Sequence, residues 1–180
     1  VYMIEGRGGT DHGRVLEWGE NRAEEFQVLI DLLVDATSDY LIRQIESGAE
    51  IIQLFDSWAG VLNPEQFHRW SVEPTRRIVE RLHERCPGVP VIGFPRNVGP
   101  LAADYVSKTG VDGVSLDQDM PLDWIAETLQ PICTVQGNLD NKILIAGGQE
   151  LDRATVNILK ALSGGPFIFN LGHGVLPETS

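Results

Sequence analysis

Five short apolar runs, each ended by polar residues and separated by helical patterns, constrain the fold of this chain more than any other feature. The clearest lies at 49–55, where Ile51, Ile52, Leu54 and Phe55 are interrupted only by Gln53 before the run stops at Asp56, Ser57 and Trp58. Such a run reads as a strand buried on both faces, the kind found in parallel sheets covered by helices. Similar runs occupy 89–94, 111–116, 132–136 and 166–171. Their starts are roughly 20 to 40 residues apart, ordinary for βα units.

The segments between them carry helical signals. Phe26, Leu29, Ile30, Leu33, Val34 and Leu41 recur at helical spacing over 20–47, as one long helix or two broken near 36–38, with Gly48 as the stop. Asn63 and Pro64 open the next helix as cap and first-turn residue. It is expected to pause near Pro74, resume through Arg85 and stop at Pro87 and Gly88. Further helices are expected over 101–108, 121–129 and 149–162, while 1–4 reads as an apolar piece leading into a glycine-rich turn. Five strand–helix alternations imply a parallel α/β architecture. A (β/α)8 barrel takes about 250 residues. Five units are therefore a partial TIM barrel, expected to form a single domain over 1–180. The start at Val1 and the end soon after the last strand both read as an excerpt from a longer protein.

Composition removes several function classes. A formal charge of -12 without a Lys/Arg cluster argues against nucleic-acid binding. The two cysteines, Cys86 and Cys133, imply no disulfide framework and fit a reducing cytoplasm. No signal peptide or membrane-length apolar run is visible. GxGxxG and GxxxxGK[ST] are absent, and Gly6, Gly8 and Gly9 read as a flexible loop rather than a phosphate cradle. There is no GxSxG elbow, and no CxxC, HExxH or HxC spacing, so neither a serine hydrolase nor a metal site is expected. His12, His68 and His83 read as solvated surface residues, and Cys133 as a small buried hydrophobe early in its strand.

In βα folds the loops after the strands converge on one face, where the chemistry is done. Phe55, Asp56 and Ser57 end the first run, and Arg96 and Asn97 the second. Asp117 ends the third, Gln136 and Asn138 the fourth, and His173 the fifth. A single Asn or Asp after a strand is usually a turn former. Polar groups at all five ends instead describe a site. His173 is its sharpest member, because Gly172 and Gly174 leave the imidazole accessible.

Four motifs in order, YMIEG (2–6), LFDSWAG (54–60), QGNLD (136–140) and NLGHG (170–174), resemble the uroporphyrinogen decarboxylase family over essentially the whole chain. The resemblance implies a (β/α)8 barrel and a cofactor-free enzyme of haem biosynthesis. Such an enzyme turns the four acetate side chains of uroporphyrinogen III into methyls, giving coproporphyrinogen III. It implies catalytic roles for Tyr2, which reaches the reacting acetate, and His173, which contacts substrate and helps proton transfer. Ser57 matches the hydroxyl that binds a substrate carboxylate, and Phe55 the aromatic beside the macrocycle. Asp117 and Asn138 complete the expected substrate-binding set. A cytoplasmic homodimer joined through strand-end loops is implied, with a tetrapyrrole as partner and neither nucleic acid nor membrane. The family's N-terminal arginine segment and its pyrrole-binding aspartate have no counterpart here, so the 180 residues alone are expected to be inactive. Arg7 and Arg96 are the basic residues expected near the mouth. A corrinoid-dependent methyltransferase of the same barrel superfamily would need a zinc-binding His-x-Cys, where the second run here ends in GFPR (93–96). A catalytically inactive barrel used for binding is the remaining alternative.

Overall fold

The structure, a computed structural model, describes residues 1–6 and 11–180. Helices α1 (Tyr2–Glu5), α2 (Gly13–Asn21) and α3 (Ala23–Glu46) precede strand β1 (Ile52–Asp56). Helices α4 (Pro64–Phe67) and α5 (Glu73–Arg85) lead to β2 (Val91–Pro95), and α6 (Leu101–Thr109) to β3 (Gly113–Ser115). Helix α7 (Leu122–Trp124) precedes β4 (Thr134–Leu139); α8 (Asn141–Ala146) and α9 (Gly148–Leu162) precede β5 (Phe167–Leu171).

All five strands pair in parallel, in the spatial order β1-β2-β3-β4-β5. Spatial order follows chain order throughout, as in a barrel wall; a doubly wound sheet would reverse direction at a switch point. Val91, Val114 and Val135 lie at the centre of the sheet with 0% exposure. The helix layer closes over one face so tightly that β2 needs a glycine. A Cβ on Gly93 would meet the Tyr105 ring of α6 at 2.5 Å.

Local chemistry explains most element boundaries. Helix α3 is unbroken through 36–38, because the Ser38 hydroxyl donates back to the Val34 carbonyl at 2.7 Å and stays within the helix. Gly48, at φ 108, follows the Ser47 cap in a conformation that side chains rarely adopt. Asn63 and Gln66 form a reciprocal capping box on α4. The pause near Pro74 is a π turn at His68–Val72 rather than a break, with the Glu73 N–H donating to the His68 carbonyl. Pro74 has no N–H to offer and crowds the preceding turn, which the wider turn relieves. A second π turn, Ile125–Leu129, extends α7.

Several expectations are corrected. Residues 2–5 are helical, and α2 and α8 are helices that the apolar periodicity did not announce. Strand β4 starts after Cys133 and runs to Leu139, so Gly137 and Asn138 lie within it. His12 is 7% exposed at φ 61, its ring 4.5 Å from that of Trp58. His83 is solvated as expected, with 38% of its side chain exposed, and its Nε2 lies 3.0 Å from the Asp112 carboxylate. His68 is exposed as expected.

Candidate active site

Side chains alternate along a strand, and in β1 the alternation divides two environments. Gln53, Phe55 and Ser57 line a cavity of about 350 Å³, completed by Phe94, Ser115, Asn170, Leu171, His173, Gly174 and Val175. Asp56 points the other way. It accepts a 2.6 Å hydrogen bond from Ser71 on the first π turn and lines a separate cavity of about 130 Å³, with Trp58 and Trp70, behind the sheet. Burial pushes the Asp56 carboxyl above its ordinary value, against the opposing pull of the Ser71 hydroxyl and the Trp58 N–H.

Residues from both edges of the sheet meet in the larger cavity. Strands β1 and β5 are four spacings apart, so in a flat sheet their ends would be separated by roughly 19 Å. Phe55 and Ser57 share one cavity with Asn170 and His173 because the sheet curls. Its floor is polar: Gln136 Nε2 donates to Gln53 Oε1 and to Ser115 Oγ, both at 3.1 Å. One wall is aromatic, with Phe55 and Phe94 edge to face at 6.0 Å between centroids. Phe55 remains 69% exposed, an apolar surface open to a ligand.

His173 sits on a backbone held from both sides. The Gly172 N–H donates to the Leu139 carbonyl at 2.8 Å, and Asn141 Nδ2 donates to the Gly174 carbonyl at 2.9 Å. A Cβ on Gly172 would fall 2.3 Å from the Gln118 nitrogen, so that glycine permits a backbone contact with the loop after β3. Desolvation by its neighbours, assisted by the positive charge of Arg96, holds the exposed His173 imidazole below its ordinary value. The shift favours the uncharged ring at neutral pH, in which one nitrogen donates and the other accepts.

The remaining expected site residues are placed differently. The Asp117 carboxylate accepts from the Asn97 N–H at 2.9 Å and the Asp119 N–H at 3.1 Å. Asn138 Nδ2 donates to the carbonyls of Asp117 at 3.2 Å and Met120 at 2.9 Å. Both are buried and tie together the loops after β2 and β3 and the end of β4; neither lines the cavity. The Tyr2 backbone belongs to α1, while its side chain, like Arg7, lies outside the described residues. Gln53, Phe94, Ser115, Asn170, Leu171 and Val175 line the cavity without having been singled out as site residues. Gln53 carried a usable signal, the single polar residue inside an apolar run and two positions before Phe55. Among the described residues no three His, Cys, Asp or Glu side chains come together as metal ligands.

The family model for uroporphyrinogen decarboxylase (URO-D) matches residues 1–180. The uroporphyrinogen decarboxylase of Rhodospirillum rubrum is 52% identical over 179 residues, covering 99% of this chain and 51% of that protein. That of Chelativorans sp. is 49% identical over 179 residues, covering 99% and 52% respectively. The chain thus spans about half the length of the curated relatives it matches. Among solved structures, a protein assigned as a vitamin-B12 independent methionine synthase from Listeria monocytogenes superposes with a TM-score of 0.59. It is 14% identical, covering 88% of this chain and 52% of that one, a likeness of fold alone. Together with the curled parallel sheet and the cavity at its strand ends, the full-length family match establishes that this chain belongs to the uroporphyrinogen decarboxylase family.

Proposed function

We propose that the whole protein decarboxylates the four acetate side chains of uroporphyrinogen III to give coproporphyrinogen III. The carrying observation is that Phe55, Ser57 and His173, drawn from opposite edges of the sheet, line one cavity with an aromatic wall and a polar floor. An aromatic surface suits the apolar macrocycle, and hydroxyl and imidazole groups suit its carboxylate rim.

The substrate supplies its own electron sink. Protonation of a pyrrole α-carbon gives an iminium-like cation. The electron pair of the bond to the acetate carboxylate flows into that cation as CO2 leaves. The exocyclic methylene then takes a proton to become a methyl, and the ring carbon releases its own. Each turn consumes one proton and liberates one CO2, without a cofactor.

In this reading neutral His173 and Tyr2 touch the reacting acetate and handle its protons, Ser57 holds a substrate carboxylate, and Phe55 lies against the macrocycle. Asp117 and Asn138 serve binding from behind, by fixing the loops at the rim. Residues 1–180 act as one unit, supported by a hydrophobic core that runs from α3 to α9. A cytoplasmic site of action is supported by two free, half-buried cysteines, and no helix of the described residues is long and apolar enough to cross a membrane. Assembly as a homodimer through the strand-end loops is part of the same reading.

The test is anaerobic incubation of the full-length protein with uroporphyrinogen III, followed by oxidation and chromatography of the porphyrins. Stepwise loss of four carboxylates supports the reading. Absence of turnover refutes it, and stoichiometric zinc in such a protein would favour the corrinoid-dependent methyltransferase.

A further inference from the structure

A chain with 26 acidic and 14 basic residues attracts a polycarboxylate only where it sets cations aside for the purpose. Four of the described arginines are committed to ion pairs, Arg22 with Glu25 and three on α5. On α5, Arg76 pairs with Glu73 and Glu80, Arg77 with Asp31, and Arg81 with Asp35. Arg96 differs. It is half-buried, its Nε is shut off from solvent with no hydrogen-bond partner, and it makes no ion pair among the described residues.

Arg96 does not itself line the cavity, but it follows directly on strand β2, whose Phe94 does. Phe55 pairs with Phe94 and Asp56 with Pro95, so Ser57 and Arg96 are the next residues along these two neighbouring strands. Phe55, Ser57 and Phe94 line the cavity, and alternation puts Arg96 on the same face as Phe94. The positive charge of Arg96 is also felt at His173, a lining residue of the cavity.

Its backbone is fixed before any ligand arrives. The Arg96 N–H donates to the Asp56 carbonyl at 3.1 Å, and its own carbonyl accepts from the Gly60 N–H at 3.0 Å. The next residue, Asn97, sits at φ 60 with its N–H on the Asp117 carboxylate. Gly60 packs so closely that a Cβ there would meet the Asn97 carbonyl oxygen at 2.4 Å. A buried Nε without a partner, on a guanidinium carried by a fixed loop, is an unfavourable arrangement that an anion at the guanidinium relieves.

We propose that Arg96 is a substrate-binding residue whose guanidinium takes a peripheral carboxylate of the tetrapyrrole beside Ser57 and His173. This rests on the tetrapyrrole reading above. The planar fork of arginine matches a carboxylate with two parallel hydrogen bonds, which a lysine ammonium cannot reproduce. Asp117, whose carboxylate pins the loop, then acts as a positioning residue for Arg96.

The experiment uses the full-length protein and two readouts: steady-state decarboxylation, and equilibrium binding of uroporphyrin followed by quenching of tryptophan fluorescence. Arg96→Gln is expected to raise KM for uroporphyrinogen III and Kd for uroporphyrin by about 10- to 100-fold, as loss of one charge-assisted hydrogen-bonded pair requires. The change in kcat is expected to be smaller, and Arg96→Lys is expected to recover part of the affinity. Uroporphyrin binding by a folded Arg96→Gln protein as tight as the wild type overturns the proposal. Should that variant unfold, phenylglyoxal labelling of the wild type decides instead: protection of Arg96 by uroporphyrin supports the contact, and undiminished labelling refutes it. A wild type that binds uroporphyrin through Arg96 without turning over uroporphyrinogen refutes the decarboxylase reading and leaves this one standing. A wild type that neither binds uroporphyrin nor turns over uroporphyrinogen refutes both, and where turnover occurs without uroporphyrin binding, an unchanged KM in Arg96→Gln overturns the proposal.

Discussion

Gly172 and Gly174 flank His173 and look equivalent in the sequence, yet only Gly172 is packed against a backbone. Gly172→Ala must push the loop after β3 or the end of β5 aside, displacing the imidazole. We expect it to lower kcat/KM of the full-length enzyme by about a hundredfold, the usual effect of a displacement near 1 Å. Gly174→Ala meets no protein atom, so its folding stability should stay within about 0.5 kcal/mol of wild type. His173→Ala is expected to lose about 10²- to 10⁴-fold in kcat/KM, the range for a positioned proton-transfer group. Asp56 supplies a test at the same scale that is independent of activity. Its carboxyl is raised by burial, so the fold favours the protonated form. Its contribution to stability is full below the unfolded value near 3.8 and is lost as pH rises through the folded value. The Tm of Asp56→Asn minus that of the wild type should therefore increase between pH 4 and pH 7, by about 2–4 °C for each kcal/mol regained in a chain of this size. A difference that does not change with pH would show that the carboxyl is not perturbed.

Among the elements, α4 and its π turn link helix chemistry to the site. Asn63 Oδ1 accepts from the Gln66 N–H at 2.9 Å, and Gln66 Oε1 accepts from the Asn63 N–H at 3.3 Å. Asn63→Ala should cost about 1 kcal/mol in chemical denaturation, with activity preserved at temperatures where the protein stays folded. This cap was legible because its residues are neighbours in sequence. The π turn was legible only as a pause at Pro74. Its use, placing Ser71 against Asp56 fifteen residues away, depends on how α4 and β1 pack. The pairs Arg77–Asp31 and Arg81–Asp35 join α5 to α3, but their partly exposed positions make them weak. A double-mutant cycle on Arg81 and Asp35 should give a coupling below about 1 kcal/mol.

At the scale of the molecule, the sheet presents two outer strands, β1 and β5, neither paired on its far side among the described residues. Ile168 and Phe169 on β5 are also partly exposed, at 37% and 42%. An unpaired parallel edge with apolar side chains is a template for association. The 180 residues expressed alone should therefore self-associate, visible as a mass well above 19.9 kDa in light scattering. A clean monomer would show that the edges are protected by other means.

Local patterns in the sequence determined the class of the fold, its strand count and the end of the sheet where chemistry gathers, because buried strands, caps and turn residues depend on near neighbours. Phe55, Ser57 and His173 could be chosen on that basis. The curl of the sheet, which brings β1 and β5 around one cavity, is a sum of small twists over five strands and has no local signature. The same is true of the division between cavity-lining and supporting polar residues. Asp117 and Asn138 sit at strand ends as Ser57 does, yet their polar groups bond to backbones from neighbouring loops. Only packing decides which strand-end polar group finds a protein partner and which, like Arg96, is left for a ligand.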